Sequence, residues 1–130
     1  MLSYVFRYKF SILLAIVIAL ISLVPSSSMP DTPLFSIRFL DKFVHFSMYA
    51  FFGMVSLLES RCLEKCRRFH LLLILVIFSM SAIIEVLQAT VVATRSAEWF
   101  DLLANLLGLI AGYISFRIFR NLRIFKSIRS

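Results

Sequence analysis

The chain has 130 residues, of which 61% are hydrophobic and 16% charged, against roughly 45–50% and about 25% in soluble domains. A protein this small has a large surface for its volume, and so few polar residues cannot cover it. That excludes an ordinary water-soluble domain, points to lipid as the solvent, and makes the positions of the charges more informative than their net +7.

A membrane span takes about 20 residues, so the length accommodates about four spans and no separate soluble domain. The first apolar run, Phe10 to Val24, follows Arg7 and Lys9. A basic start and an apolar run also fit a signal peptide, but no small-x-small alanine site follows, so a retained helix over about 5–24 is expected. Pro25, Pro30 and Pro33 come next, with three serines and Asp31. Proline lacks a backbone donor and resists helix continuation, which predicts an irregular loop. Further spans are expected at about 41–58, 70–93 and 100–116, with a basic tail over 117–130. The reading is an all-α, four-helix membrane bundle formed as a single domain.

Lysines and arginines set its orientation. Eleven of them (Arg7, Lys9, Arg61, Lys65, Arg67, Arg68, Arg117, Arg120, Arg123, Lys126 and Arg129) fall before span one, between spans two and three, or after span four. Only Arg38, Lys42 and Arg95 fall in the other two loops. This split predicts a multi-pass membrane protein with both termini and the central loop in the cytoplasm.

That topology collects polar groups in the outer half of the membrane. Asp41 and His45 are four apart, Glu85 and Gln88 three apart, and Asp101 and Asn105 four apart, so each pair shares a helix face. On span four the face continues through Gly108 and Gly112, a small-residue stripe that lets another helix approach closely. The polar groups are expected to meet inside the bundle, with Lys42 and Arg95 as counter-charges and Arg95 at the outer rim. Glu85 is costly inside a span, about 2.5–3.5 kcal/mol on insertion scales, which favours a functional role. Bland roles compete with this: Asp41 and Asp101 as helix-start caps, His45 as a hydrogen-bonded packing residue, and the whole set as a structural ion network.

Three stretches carry a family resemblance: Asp41-Lys42-Phe-Val-His45-Phe, then Glu85-Val-Leu-Gln88, then Arg95 followed by Phe100-Asp101-Leu-Leu-Ala-Asn105-Leu-Leu-Gly108. In this order and spacing the chain resembles the VanZ-like family of bacterial membrane proteins over about Leu40 to Gly112. The family takes its name from a protein linked to low-level teicoplanin resistance, and the resemblance implies a family rather than a reaction. Its polar set falls on Asp41, Lys42, His45, Glu85, Gln88, Arg95, Asp101 and Asn105. The short segment between Gln88 and Arg95 lacks glycine and proline, a departure that implies a reduced outer loop.

No phosphate-binding loop, nucleophile elbow, HExxH or dinucleotide fingerprint occurs, and nothing indicates nucleic-acid binding. No cofactor and no metal is expected; Cys62, Cys66 and His70 are spaced by four but lack a fourth ligand. The tail mixes basic and apolar residues and reads as lying on an anionic lipid surface. Three functions remain open. The pocket binds a lipid or lipid-linked wall-precursor head group, with Lys42 and Arg95 on its phosphate or carboxylate and an effect on glycopeptide susceptibility. Alternatively, His45 beside Glu85 or Asp101 is a general base acting on a lipid head group, although no serine or cysteine is placed as a nucleophile beyond nearby Ser47. Or the cluster specifies packing in a structural or regulatory partner of another envelope protein.

Overall fold

The computed structural model describes residues 6–24, 38–60, 67–91 and 98–122. Each stretch contains one helix: α1 Lys9–Ser22, α2 Arg38–Glu59, α3 Arg67–Val91 and α4 Trp99–Asn121. Among the described residues the fold is all-α, as expected. All three prolines fall between α1 and α2, and the helix interiors hold no residue that removes a backbone donor.

The helices alternate in direction. The Glu59 carboxylate, at the end of α2, accepts from the backbone amides of Phe10 (3.0 Å) and Ser11 (2.9 Å) at the start of α1. It also accepts from the Ser11 hydroxyl. Those amides lack partners within their own helix, and a carboxylate there is favoured by the helix dipole. At the opposite end, the Gln88 amide near the end of α3 donates to the Ser22 carbonyl at the end of α1. A side chain thus satisfies a terminal carbonyl that α1 cannot satisfy itself.

α2 is the hub, touching all three other helices, and its closest partner is α4. Glycine makes that approach possible. A Cβ on Gly108 would collide with the Phe46 carbonyl oxygen, and one on Gly112 with the Ala50 carbonyl oxygen. Across the seam, a Cβ on Gly53 would sit 3.1 Å from the Leu109 side chain. Backbone-to-backbone contact of this kind is how helices associate where lipid supplies no hydrophobic drive. Ile18, Tyr49, Phe52, Ile77 and Leu109 form the core, with at least one residue from every helix.

Outside this core the surface is apolar. Phe10, Leu13, Leu71, Leu75, Ile83, Leu103 and Ile114 are among many large side chains left exposed, far more than a monomeric soluble protein shows. α3 and α4 are each long and apolar enough to cross a membrane. α1 is apolar but has 14 residues, about 21 Å at 1.5 Å per residue. α2 has the length, but His45, Ser47, Ser56 and its terminal charges lower its hydropathy. Two apolar helices and an apolar exterior fit a membrane protein.

The helix ends differ modestly from expectation. α4 runs past 116 to Asn121, carrying Arg117 and Arg120 out of the expected tail. Neither glycine nor proline interrupts it after Gly112, and the Arg120 guanidinium lies 5.9 Å from the Phe116 ring one turn back. The rest of the tail, 123–130, lies outside the described residues, as do residues 92–93 of the expected third span.

Candidate functional site: a buried polar cluster at one end of the bundle

Antiparallel order brings four helix ends together: the C-termini of α1 and α3 and the N-termini of α2 and α4. The three polar pairs converge there. His45 is 6% exposed, Glu85 6%, Gln88 3%, Asp101 8% and Asn105 1%. Burying five such groups together is costly unless they satisfy one another.

Asn105 is the hub of that satisfaction. Its amide nitrogen donates to Ser81 Oγ on α3 at 3.1 Å, leaving its carbonyl oxygen for His45 Nδ1 on α2, also at 3.1 Å. Nδ1 must therefore carry the proton, since Asn105 Oδ1 can only accept. Glu85 Oε1 lies 4.0 Å from the same nitrogen, so a buried carboxylate stands beside the imidazole. Tyr49 is 1% exposed, and its hydroxyl joins the network through Ser81. Acid, amide and imidazole, separated by up to 60 residues in sequence, form one connected group.

Lys42 occupies the mouth. Its ammonium pairs with Asp101 and with Glu98, both at 2.5 Å. Asp41 stands one residue earlier, half-buried, with a carboxylate oxygen near His45 and Asp101. Asp101 falls in the first turn of α4, where a cap was a competing role, yet its carboxylate is directed to Lys42. Glu98 occupies the N-cap position without a side-chain cap bond. The α4 start therefore contributes acids to the pocket mouth.

Of the eight expected site residues, the structure brings Asp41, Lys42, His45, Glu85, Asp101 and Asn105 together. Gln88 lies on the same face of α3, one turn beyond Glu85, and serves the end of α1. Arg95, expected to close the rim, lies outside the described residues. Three contributors were missed: Ser81, Tyr49 and, as a pocket residue, Glu98. Ser81 is four before Glu85 and Tyr49 four after His45, so continuing each polar face by one turn would have found both.

Around Cys62, Cys66 and His70, only His70 is described. It is buried with its ring edge-on to Phe116 at 5.4 Å, a packing position at the far end of the bundle.

The sequence model of one family, described as VanZ/LLP1, matches residues 2–120, nearly the whole chain and all three stretches that build the cluster. Searches of curated proteins and of solved structures find no significant match to this chain.

Proposed function

The chain belongs to the VanZ/LLP1 family, and from that premise and the buried cluster we propose that it binds the head group of a lipid or lipid-linked cell-wall precursor. Family membership fits an envelope protein linked to glycopeptide resistance. The head-group reading rests on one observation: four buried polar side chains on three helices, His45, Glu85, Asp101 and Asn105, meet behind a single lysine. A network needed only for packing would not have to place Glu85 beside His45, because apolar residues of like volume stabilise at least as well. Intramembrane ionisable groups of this kind mark binding or transfer sites. Lys42 supplies the charge for a phosphate or carboxylate, and Glu98 and Asp101 hold it in place until a ligand arrives. Asn105 and His45 offer hydrogen bonds behind it.

In this reading all four helices span the bacterial cytoplasmic membrane. Both termini are cytoplasmic, and the cluster faces outward, where wall precursors are used. The Lys and Arg distribution supports that orientation. An impermeant thiol reagent applied to intact cells should leave Cys62 and Cys66 unlabelled and label a cysteine placed at Ser27. Labelling of Cys62 would turn the cluster inward and remove wall precursors as ligands.

A second reading draws on the 4.0 Å approach of Glu85 to His45: a carboxylate-oriented imidazole acting as a general base on a bound head group. The conservative Glu85→Gln variant tests the function itself. It should retain expression and melting behaviour, because the amide keeps the volume, yet abolish any change in teicoplanin susceptibility that expression of the wild-type chain produces. Loss of folding in Glu85→Gln would assign the cluster to structure.

A further inference from the structure

Three side chains at the mouth of the polar cluster also have the chemistry and spacing of metal ligands. One ligating atom each from Asp41, His45 and Asp101 lies within 4.8 Å of the other two. Nitrogen and oxygen ligands sit about 2.0–2.2 Å from a transition-metal ion and thus about 3–4.4 Å from one another. A small inward movement of side chains closes this triad around an ion. Two donors come from adjacent turns of α2 and the third from α4, and the glycine seam fixes those two helices against each other.

The state of His45 is the second observation. The Asn105 carbonyl oxygen holds Nδ1–H, with the Glu85 carboxylate close by, which leaves Nε2 as the lone-pair nitrogen. Nε2 has no partner among the described residues, in a side chain only 8% exposed. Metal-binding histidines have this arrangement, in which the distal N–H is held by a carboxylate or amide oxygen and the proximal nitrogen faces the ion. The surrounding charge also fits. Asp41, Glu85, Glu98 and Asp101 crowd one end of the bundle, and Lys42 pairs with two of them, Glu98 and Asp101.

We propose that Asp41, His45 and Asp101 form a binding site for a divalent transition-metal ion, with Lys42 as the cation that holds Asp101 when the ion is absent. One imidazole and two carboxylates suit manganese, iron or zinc better than calcium or magnesium, which favour all-oxygen shells. Three protein ligands leave coordination positions open, and a head-group phosphate is a natural occupant. That last role rests on the head-group reading; the metal site itself does not.

The test is Mn²⁺ titration of the metal-stripped, full-length chain in neutral detergent, followed by electron paramagnetic resonance. Mn²⁺ is chosen because Cys62 and Cys66 compete poorly for it. The expected result is one ion per chain, with affinity at least tenfold weaker in His45→Gln and in Asp101→Asn. Lys42→Gln should bind Mn²⁺ more tightly, because a competing cation is gone, whereas head-group binding should weaken in the same variant. On the unmutated chain, spin-echo modulation should show one imidazole nitrogen coupled to the bound Mn²⁺, a readout that survives if a variant fails to fold. Absence of a one-to-one site, absence of nitrogen coupling, or weaker binding in Lys42→Gln would each overturn the proposal. Lipid binding measured with EDTA present tests the head-group reading separately.

Discussion

Replacing Gly112 with leucine should destabilise the bundle by about 3 kcal/mol, at the upper end of the cost of overpacking. A Cβ at this position already strikes the Ala50 carbonyl oxygen on α2. Backbone cannot rotate aside as a side chain can, so relief requires the helices to separate. Separation loosens the closest helix pair in the molecule. It also pulls Asn105 and Asp101 on α4 away from His45 and Lys42 on α2. Thermal melts in detergent, read by circular dichroism, should show Gly112→Leu and Gly108→Leu far below the wild-type chain. Ile110→Leu, on the exposed face of α4, should be nearly unchanged. A stable Gly112→Leu protein would mean that α2 and α4 do not approach through this seam.

Asn105→Leu should be nearly as damaging for a different reason. The leucine removes the acceptor for His45 Nδ1–H and the donor to Ser81 Oγ at a position only 1% exposed. Each polar group stranded in the interior costs about 1–3 kcal/mol. Tyr49 keeps a contact with Ser81, so the larger share falls on His45. Removing Ser47, exposed on the same helix as His45, should by contrast stay within about 0.5 kcal/mol. The same melts decide: an Asn105→Leu protein as stable as Ser47→Ala would show that the hydrogen bonds through Asn105 contribute little.

The helices and the cluster were legible in the sequence because both depend on local spacing. Apolar runs bounded by charges located all four helices, and the three- and four-residue intervals between Asp41 and His45, Glu85 and Gln88, and Asp101 and Asn105 located their buried faces. The stripe through Gly108 and Gly112 identified which face of α4 turns inward. Partnerships across helices were not legible. Glu59 sits 48 residues from Ser11, and nothing near either residue signals that one caps the helix of the other. Gln88 reads as part of the cluster, yet its amide goes to the Ser22 carbonyl 66 residues away. Ser81 and Tyr49 escaped notice because hydroxyl residues are unremarkable on apolar helices. Only their position one turn beneath Glu85 and His45 distinguishes them. The full extent of α4 was not legible because the apolar run stops at a charged stretch, Arg117 to Arg120. Arginine is a good helix former, and α4 continues through it.

The central claim is that the cluster receives a phosphate-bearing lipid head group, and Trp99 offers a direct reading of it. It is the only tryptophan in the chain, opens α4 one residue after Glu98 and two before Asp101, and is 84% exposed. The measurement is Trp99 fluorescence of the full-length protein in phosphatidylcholine nanodiscs carrying increasing amounts of undecaprenyl phosphate. The account predicts a saturable change that is lost or weakened at least tenfold in Lys42→Gln and in Glu85→Gln, both still folded by circular dichroism. An unchanged Trp99 signal, or an identical titration in those two variants, would contradict it.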